Sequence, residues 1–526
     1  MVGNIELVIL ETSDIHGNVF PIHYGTNGYA DTGIGKISSL VREQRSLHEH
    51  VLLIDNGDLI QGTPLTYHYS RINPERQNPM IVLANEMQYD AAVLGNHEFN
   101  YGLKLLKSAV GESRFPWLSA NILDERTGEP FFGKPYIVKE AAPGLRAAIL
   151  GLTTPYIPNW EKPENITGLK FADAVETAKK WVAHLKKEER ADIVIVSYHG
   201  GFERDLDTGK PTKTLTGENQ GYELCMEVEG IDVLLTGHQH RQIEGREING
   251  VTVVQPGYNG MALGKVTVVL EKKNEQWTIV RKQSELLSSA TIEEDRELLS
   301  LVKDYERETQ AWLDQPLGTI EGDMTVTNPL KIRTEDNALI EFINKVQMET
   351  AGVDIANTAL FDNQSPGFPA NVTMRDVVSN YIYPNTLKVI RITGKDMKAA
   401  LERSASYFKQ YAGGEIEVNP SFTSPKPQHY NYDMWEGIDY LINISRPEGD
   451  RIVKLEYKGS PVEPDKEYDV VMNNYRSGGG GEYFMYQGKP VIKDIPTDVS
   501  EILANYLLEK KTVKAAVNHN WKVIHD

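Results

Sequence analysis

The chain has 526 residues, a length that excludes a single small module and, at roughly 100 to 200 residues per domain, indicates at least two domains. Hydrophobic residues make up 40% of the chain and charged residues 25%, which is typical of a globular protein and excludes collagen-like and disordered classes. The formal net charge of −19 repels polyanions, so we do not expect the protein to bind duplex nucleic acid.

The chain contains a single cysteine, Cys225, so it cannot form an internal disulfide or a thiolate metal cluster. Any metal must therefore be held by imidazole, carboxylate or amide ligands. No stretch approaches the roughly 18 to 20 apolar residues of a membrane span, and the run 7–10 is too short for a signal peptide. We expect a soluble, cytoplasmic monomer as the chain stands, with export to the periplasm or cell wall left open if a leader has been removed.

Residues 1–285 repeat one theme, a short β-branched or leucine-rich run followed by polar residues and glycine. The runs are IELVILETSD, VLLIDNGD, AAVLGNHE, ADIVIVSYHG and IDVLLTGHQH. Amphipathic helix patterns, such as the one at 171–189, separate these runs. The alternation predicts an α/β domain with buried strands, in which the chemistry lies at the carboxyl ends of the strands.

The remaining sequence divides into a connecting segment and a second domain. Residues 291–314 have apolar residues at helical spacing, dense charge and no glycine or proline, which predicts one exposed connecting helix within the segment 286–315. Beyond it, helix patterns at 338–352 and 393–408 mix with a hairpin-like pattern at 452–472. We therefore predict a second domain of the α+β class at 316–526.

Candidate metal ligands follow five of the predicted strands. Each is an oxygen or nitrogen donor that a rigid strand end can direct into one cleft, and the set is Asp14, His16, Asp58, Asn96, His199, His238 and His240. Asp14 and His16 are two residues apart, a spacing that places both side chains on one face of a strand. A lone residue of this kind is usually a cap, turn or core residue, but five such strand ends together favour a metal site.

Seven donors are too many for one tetrahedral ion and suit two ions that share a carboxylate, the arrangement that serves displacement at phosphorus. A mixed nitrogen and oxygen set suits Mn²⁺, Fe²⁺, Co²⁺ or Zn²⁺ better than Ca²⁺. His97 adjoins Asn96 but is surplus to the set, as a proton donor to a leaving oxygen would be. The other histidines lack such a setting and are expected in the surface or core, namely His23, His48, His50, His68, His184, His429, His519 and His525.

The motifs SDIHGN, NGDLIQGTPL, GNHEFNYG, SYHGG and TGHQH resemble the ordered motifs of the calcineurin-like metallophosphoesterases. Both domains together resemble the bacterial nucleotidase family, which joins such a domain to a nucleoside-binding C-terminal domain. The resemblance implies an αββα sandwich followed by an α+β domain. It also implies that one metal ion is held by Asp14, His16, Asp58 and His240, and the other by Asp58, Asn96, His199 and His238. Asp58 then bridges the ions and His97 is the catalytic histidine.

Two differences within that family favour one branch. The 5′-nucleotidase branch typically reads GNHEFD and carries an NGGxR-like phosphate-binding motif, whereas this chain has Asn100 and no arginine in the comparable stretch 355–367. The segments GNHEFNYGL, YIYPNTLKVIRITGKDM, YNYDMWEGIDY and NNYRSGGGG resemble instead the 2′,3′-cyclic-nucleotide 2′-phosphodiesterase/3′-nucleotidase branch. We therefore predict hydrolysis of 2′,3′-cyclic nucleotides to 3′-nucleotides, and of these to nucleoside and phosphate. A 5′-nucleotidase or nucleotide-sugar hydrolase, and a non-catalytic nucleotide-binding protein, are the alternatives.

Three tyrosines of the second domain are candidates for contact with the nucleotide base. Tyr475 adjoins the glycine run 478–481, and Tyr383 and Tyr432 occur in two of the other motifs. Two aromatic faces can sandwich a base, with about 1 to 3 kcal/mol for each stacked base. Because the metal ligands precede residue 285 and the tyrosines follow residue 316, we expect an interdomain substrate site with a hinge in the connecting segment.

Overall fold

The structure, a computed structural model, describes residues 4–212, 215–273, 276–383 and 385–526. The chain divides into two compact units, residues 1–309 and residues 310–526. Unit 1 is of the α/β class and unit 2 of the α+β class, so the predicted fold class is confirmed. None of the helices in the described residues has the length and apolar character needed to cross a bilayer.

Unit 1 is built from strands and helices that alternate through most of its length. Its strands are β1 (Asn4–Thr12), β2 (Ile22–His23), β3 (Gly28–Tyr29), β4 (His50–Asp55), β5 (Ala91–Val93), β6 (Trp117–Leu118), β7 (Ile122–Asp124), β8 (Tyr136–Ala142), β9 (Leu145–Thr153), β10 (Leu169–Phe171), β11 (Ile193–His199), β12 (Val233–Thr236), β13 (Gln242–Ile248), β14 (Val251–Pro256), β15 (Ala262–Lys273) and β16 (Gln276–Ser288). Its helices are α1 (Ile34–Leu47), α2 (Pro64–Ile72), α3 (Pro79–Glu86), α4 (Leu103–Glu112), α5 (Ala174–Lys187), α6 (Gly221–Glu227), α7 (Arg296–Ser300) and α8 (Lys303–Leu313), the last of which contains the boundary between the units.

Twelve of the described strands of unit 1 form two six-stranded sheets that face each other across one apolar layer, and β2 with β3 and β7 with β10 form two small sheets. The strand orders of the six-stranded sheets are β16-β15-β1-β4-β5-β6 and β13-β14-β12-β11-β9-β8. The layer between them contains Ile9 and Ile54 from the first sheet and Ile149, Ile195 and Leu235 from the second. Helices α5 and α6 cover the outer face of the second sheet, and α1 packs against the first. Strands buried on both faces explain why these segments of the sequence are almost continuously apolar.

The strands that lead into the predicted metal ligands are parallel and in register. In the first sheet β1 pairs with β4 up to Thr12 and Asp55, and β4 pairs with β5. In the second sheet β11 pairs in parallel with β9 and with β12, up to Thr236. Parallel strands present their carboxyl ends at the same edge of a sheet, so these residues bring the loops that follow them to one edge of each sheet.

The connecting segment differs from the prediction. The sequence pattern indicated one exposed helix over 291–314, whereas the structure has the two helices α7 and α8, separated by a turn at Leu301 and Val302. Leu298 and Val302 are buried, and Leu299 lies against Gly35 of α1, where an added Cβ would come within 2.9 Å of the leucine side chain. The apolar residues of the segment therefore pack against α1, and the predicted single helix is divided into α7 and α8 where they do so.

Unit 2 combines several small sheets with helices that begin and end at well-formed caps. Its strands are β17 (Pro316–Glu321), β18 (Met324–Thr325), β19 (Ala356–Ala359), β20 (Gly367–Phe368), β21 (Asn371–Thr373), β22 (Thr386–Thr393), β23 (Asp433–Glu436), β24 (Asp439–Asn443), β25 (Ile452–Tyr457), β26 (Ser460–Pro461), β27 (Glu467–Asn473), β28 (Val491–Asp498), β29 (Thr512–Lys514) and β30 (Trp521–Ile524). Its helices are α9 (Pro329–Ile332), α10 (Ala338–Ala351), α11 (Met374–Asn380), α12 (Gly394–Ala405), α13 (Asn474–Ser477) and α14 (Val499–Lys510). In its five-stranded sheet the strands follow the order β23-β19-β27-β22-β28.

The two long helices predicted for this unit are confirmed, and their caps explain their limits. The Asn337 side chain accepts a hydrogen bond from the backbone of Ile340 at the start of α10, and Gly352 ends that helix with φ 75°. Thr393 and Asp396 form a reciprocal capping box at the start of α12.

Three buried carboxyl groups meet in the interior of unit 2. The side chains of Asp336, Glu341 and Glu436 each place an oxygen within 4.8 Å of the others. Asp336 and Glu341 accept hydrogen bonds from the backbone of His519 and Asn518, at 2.8 and 2.7 Å. Burial, with a further contribution from Glu341, raises the pKa of Glu436 to about 7. Glu436 therefore binds a proton more tightly in the folded protein than in the unfolded chain.

We predict that Glu436→Gln flattens the pH dependence of unfolding. A raised carboxyl pKa contributes stability that is full below about pH 4.5 and is lost as the pH rises through about 7. Over that interval the unfolding free energy of the variant should rise relative to wild type by roughly 1 to 3 kcal/mol. Denaturant titrations of the chelator-treated full chain at several pH values measure this. Glu509→Gln, at an exposed position of the same unit, is the matched control, and parallel profiles for Glu436→Gln and wild type would contradict the assignment.

Candidate metal centre

The seven predicted donors lie just beyond the ends of β1, β4, β5, β11 and β12, or at the last residue of the strand in the case of His199. The structure brings six of them together in two groups whose ligand atoms lie within 4.8 Å of one another. These groups are Asp14, His16 and His240, and Asp58, His199 and His238. Among the described residues, no other histidine of the chain belongs to such a group. The seventh donor, Asn96, lies against the second group, as its distances below show.

In the first group the two imidazoles converge on one carboxylate. Nε2 of His240 is 3.4 Å from Oδ1 of Asp14, and Nε2 of His16 is 3.8 Å from the same oxygen. The two Nε2 atoms are 3.0 Å apart. Asp14 is fully buried, and although burial opposes ionisation, His240 and His199 hold the pKa of its carboxyl group below the usual value.

In the second group an amide oxygen and a carboxylate oxygen face the same histidine. Nε2 of His199 is 3.2 Å from Oδ2 of Asp58 and 3.1 Å from Oδ1 of Asn96, and Nδ1 of His238 is 2.9 Å from that amide oxygen. Oδ2 of Asp58 also lies 3.9 Å from Nε2 of His16, in the first group. One oxygen of Asp58 therefore connects the two groups.

The imidazoles are oriented by acceptors on their outer side. Nδ1 of His199 lies 2.7 Å from the carbonyl oxygen of Asn56, and Nδ1 of His16 lies 3.2 Å from that of Gln61. Nε2 of His238 lies 2.8 Å from a carboxylate oxygen of Glu218. Each outer nitrogen therefore donates, and in the neutral ring the inner nitrogen presents its lone pair to the group.

This arrangement fits divalent cations. When the outer nitrogens carry the protons, the inner nitrogens of His199 and His238 are acceptors that lie 3.1 and 2.9 Å from the amide oxygen of Asn96, which is also an acceptor. Acceptors this close repel one another, and a cation bound between them would turn the contact into an attraction. Burial lowers the pKa of His199, but Asp58 and Asp14 outweigh it and raise that pKa to about 10. The buried carboxylates thus favour positive charge at this position, which a protonated His199 supplies in the metal-free protein and a bound cation would supply in its place.

The backbone at the ligands is strained. Asp14, His16, Asp58, His238 and His240 all have left-handed φ values, between 50° and 66°. For residues other than glycine this conformation costs on the order of 1 kcal/mol or more for each residue, and it accumulates at functional sites. The sequence predicted that strand alternation places Asp14 and His16 on one face, and this reason is wrong because β1 ends at Thr12. The left-handed turn after the strand brings the two side chains together instead.

Two residues that sequence reasoning missed hold the ligand loops. The Glu98 carboxylate accepts hydrogen bonds from the backbone N–H groups of Asp58, Leu59 and Gly95, at 2.8, 2.7 and 2.6 Å, and so ties the loop after β4 to the loop after β5. Its place beside His97 in GNHEF was the available signal. Glu218, which orients His238, lies in the long connection between β11 and α6 and has no sequence signal.

His97 lies beside both groups of donors. Its backbone N–H donates to Oδ1 of Asp58 at 2.7 Å, and its ring centroid is 5.2 Å from that of His16. Nδ1 of the ring lies 2.7 Å from Oδ1 of Asn100. The ring is therefore held next to the ligands without being one of them.

The predicted base-contacting tyrosines of unit 2 do not all lie at a surface. Tyr475 is half-buried and lies flat on Gly480, where an added Cβ would be 2.6 Å from the ring, so the glycine run is required for this close approach. Tyr383 is also half-buried. Tyr432 is fully buried, with its ring centroid 5.1 Å from that of Tyr407, because it leads directly into the buried strand β23.

Tyr430 occupies the place expected for Tyr432. It is half-buried, and its ring centroid is 6.0 Å from that of Tyr383 and 6.5 Å from that of Tyr475. The half-buried rings of Tyr383, Tyr430 and Tyr475 form a group that we call the tyrosine cluster, and Tyr432 is too deeply buried to belong to it. Both tyrosines of the YNY segment were visible in the sequence, and only burial distinguishes them.

An arginine reaches the stretch 355–367, which has none of its own. Arg333, just after α9, is buried and donates hydrogen bonds to Oδ1 of Asn363 and to the carbonyl oxygen of Leu360, both at 2.8 Å. Nothing in the local sequence indicated this contact across about 30 residues.

Comparison with known proteins agrees with this architecture. Residues 7–242 match the calcineurin-like phosphoesterase family, and residues 316–488 match the 5′-nucleotidase C-terminal domain. A Salmonella typhimurium protein named 2′,3′-cyclic-nucleotide 2′-phosphodiesterase/3′-nucleotidase is 30% identical over 556 residues, an alignment that covers 91% of this chain and 82% of that protein. A crystal structure from Staphylococcus aureus with a provisional 5′-nucleotidase assignment, in complex with alpha-ketoglutarate, has a TM-score of 0.90 and 35% identity and covers 99% of this chain and 100% of its own.

A longer relative matches only in part. The Bacillus subtilis protein named trifunctional nucleotide phosphoesterase YfkN is 28% identical over 99% of this chain, but the chain spans only 39% of the length of YfkN.

Fold, donor groups and family matches together define a metal-dependent phosphoric ester hydrolase that uses divalent metal ions. Its calcineurin-like domain carries the donors, and its second unit is a 5′-nucleotidase C-terminal domain. The chain belongs to the 2′,3′-cyclic-nucleotide 2′-phosphodiesterase/3′-nucleotidase family.

We predict that Glu218→Gln weakens metal binding by the group that contains His238. Loss of the carboxylate behind a ligand histidine typically lowers metal affinity about 10- to 100-fold, because the ring loses both its orientation and its basicity. Isothermal titration of the metal-stripped protein with Mn²⁺ measures the change. Glu229→Gln, at an exposed position of the same domain, should bind as wild type, and unchanged affinity in Glu218→Gln would contradict the role of Glu218.

Proposed function

We propose that this protein hydrolyses 2′,3′-cyclic nucleotides to 3′-nucleotides, and 3′-nucleotides to nucleoside and phosphate, with two divalent metal ions. The observation that carries the proposal is the pair of convergent donor groups that share one buried oxygen of Asp58, with His97 beside them. The name of the Salmonella relative supports the substrate class.

The donors divide naturally between two ions. Asp14, His16 and His240 would hold one ion, Asn96, His199 and His238 the other, and Asp58 both. This mixed set suits Mn²⁺, Fe²⁺, Co²⁺ or Zn²⁺. When bound, such ions supply Lewis-acid stabilisation of phosphoryl charge and a water nucleophile at neutral pH.

His97 is the group of this chain that can supply a proton. Its backbone is bound to Asp58 and its Nδ1 to Asn100, so Nε2 is the nitrogen left to carry the exchangeable proton. In the first reaction the bond between phosphorus and the 2′-oxygen breaks and that oxygen takes the proton. In the second reaction the 3′-oxygen leaves in the same way, and water supplies the new oxygen on phosphorus in both.

A 5′-nucleotidase activity is the second candidate, and one observation favours it. The sequence argued against this activity because the stretch 355–367 lacks an arginine. In the structure Arg333 contacts that stretch at two positions, so a guanidinium is present there after all. The Staphylococcus structure carries a provisional assignment of the same kind.

Product analysis with a panel of adenine nucleotides tests the proposed function. With Mn²⁺ present, 2′,3′-cyclic AMP should give 3′-AMP first and then adenosine, because the 2′-ester opens before the 3′-ester. Chromatography of the products should show no accumulation of 2′-AMP, and kcat/KM for 5′-AMP should be at least about tenfold below that for 3′-AMP, the factor that corresponds to about 1.4 kcal/mol. Accumulation of 2′-AMP would contradict the proposed cleavage at the 2′-oxygen, and faster turnover of 5′-AMP than of 3′-AMP would favour the second candidate.

We further propose that the tyrosine cluster of unit 2 binds the nucleoside. The ring of Tyr430 lies 6.0 Å from that of Tyr383 and 6.5 Å from that of Tyr475, measured between centroids, so three half-buried rings provide flat apolar faces with polar edges. Gly480 packs against the ring of Tyr475. Aromatic faces bind every base, so the cluster would tolerate different bases.

Tyr475→Ala should raise KM for nucleotides by an amount equivalent to about 1 to 3 kcal/mol, because one stacking face is lost. The kinetics of p-nitrophenyl phosphate, which has no nucleoside, should not change. Tyr411→Ala removes a half-buried tyrosine of the same unit that stacks on His525, and it should behave as wild type. Equal losses for nucleotide and p-nitrophenyl phosphate in Tyr475→Ala would show that this tyrosine is structural.

A further inference from the structure

Three side chains of unit 1, those of His97, Asn100 and Glu161, form a row in which each is hydrogen-bonded to the next. Nδ1 of His97 lies 2.7 Å from Oδ1 of Asn100, and Nδ2 of Asn100 donates to Oε2 of Glu161 at 2.6 Å. Asn100 ends the 3₁₀ turn His97–Phe99, whereas Glu161 lies about 60 residues further on, in the loop between β9 and β10. All three side chains are only partly exposed.

Glu161, at the end of this row, determines the orientation of the Asn100 amide and of the His97 ring. A carboxylate can only accept hydrogen bonds, so Glu161 must face the NH₂ end of the Asn100 amide. The oxygen of that amide then faces His97 and can only accept, so Nδ1 of His97 must be the nitrogen that carries a hydrogen. The neutral ring is thereby held in the Nδ1–H tautomer, with Nε2 as the nitrogen open to proton exchange.

Glu161 is itself held in place by its own loop. Its other oxygen, Oε1, accepts from the backbone N–H of Lys162 at 2.7 Å and from the side chain of Asn165 at 2.9 Å. Trp160, the preceding residue, lies against His238, with the ring centroids 5.3 Å apart. One loop therefore orients Glu161 and also packs against a ligand histidine.

We propose that Asn100 and Glu161 are positioning residues for His97, and that Glu161 selects the tautomer of His97 through the Asn100 amide. The proton-donor role of His97 rests on the proposed function, but the tautomer does not depend on it. In the sequence, Asn100 distinguishes branches of the family, and Glu161 stands in no recognisable motif.

Substitutions that exchange the amide of Asn100 and the carboxylate of Glu161 test this order of hydrogen-bond donors and acceptors. Asn100→Asp alone places two carboxylates at hydrogen-bond distance, which is unfavourable for like charges. Glu161→Gln alone favours a turned-over amide of Asn100, because the glutamine oxygen must still accept from Lys162 and Asn165, which leaves its NH₂ end facing Asn100. In the double variant Asn100→Asp/Glu161→Gln, the glutamine donates to the aspartate and the aspartate accepts from Nδ1 of His97, so the original order returns.

Nitrogen-15 NMR of histidine-labelled, metal-free protein at about pH 9, where an ordinary imidazole is neutral, reports the tautomer directly. We expect the Nδ1–H form of His97 in wild type and in the double variant, and a shift toward Nε2–H in Glu161→Gln. The His97 signal is identified by its loss in His97→Ala. The same tautomer in all three proteins would overturn the proposal.

Kinetics of the Mn²⁺-loaded enzyme provides the second readout. Asn100→Asp should lower kcat for 3′-AMP by about 10- to 100-fold, because the new carboxylate is repelled by Glu161 and no longer holds Nδ1 of His97 in place, with KM and metal content near wild type. The loss should be smaller for p-nitrophenyl phosphate, whose leaving group needs little protonation, and the double variant should recover most of the activity. Asn159→Ala, at an exposed residue of the same loop whose side chain donates to the carbonyl oxygen of Tyr156, should leave the kinetics of both substrates unchanged.

The outcomes separate this inference from the proposed function. If the double variant recovers neither the tautomer nor kcat, the two residues merely hold the loop and the inference is wrong. In another outcome, the tautomers and the kcat of the double variant follow the expected order while His97→Ala lowers kcat by the same factor for 3′-AMP and for p-nitrophenyl phosphate. In that case the inference stands, and the role of His97 as the acid is wrong.

Discussion

The carboxylate of Asp58 is the point to which the other parts of the centre are attached. Its Oδ2 faces His199 at 3.2 Å and His16 at 3.9 Å, and so belongs to both donor groups. Its Oδ1 accepts the backbone N–H of His97, and its own backbone N–H donates to Glu98. Although burial opposes ionisation, His199 and His97 hold its pKa well below the usual range. A single buried charge thus positions both groups and the proposed acid.

The sandwich of unit 1 can support this buried charge because its interior is rigid. Five ligand residues have left-handed backbone conformations, each unfavourable for residues other than glycine. The parallel strands before them are in register and are buried at the ends that lead into the loops, so the loops cannot relax without disturbing the sheets. Gly95 contributes at one point, where an added Cβ would lie 2.3 Å from Oδ1 of Asp58. The strain of the site is therefore balanced by the packing of the two sheets.

Much of this arrangement could be predicted from the sequence, because the informative residues lie at the ends of apolar runs. Asp58 and His199 were identified that way, and helices α10 and α12 were visible as helical patterns. Contacts between distant segments could not be predicted. Glu218, Arg333 and Glu161 act across 20 to 61 residues and follow no periodic pattern. Burial was the other limit, since it separates Tyr430 from Tyr432 and divides the connecting segment into α7 and α8.

The shared carboxylate makes a prediction that magnetic measurements can check most directly. Metal-stripped protein reloaded with Mn²⁺ should bind two ions for each chain by elemental analysis, and its electron paramagnetic resonance spectrum should show exchange coupling between them. In Asp58→Asn the coupling should disappear and the metal content should fall, because the carboxylate whose oxygen faces both groups loses its charge. Two ions with independent, uncoupled signals in the wild-type protein, or a single ion for each chain, would contradict a centre built around Asp58.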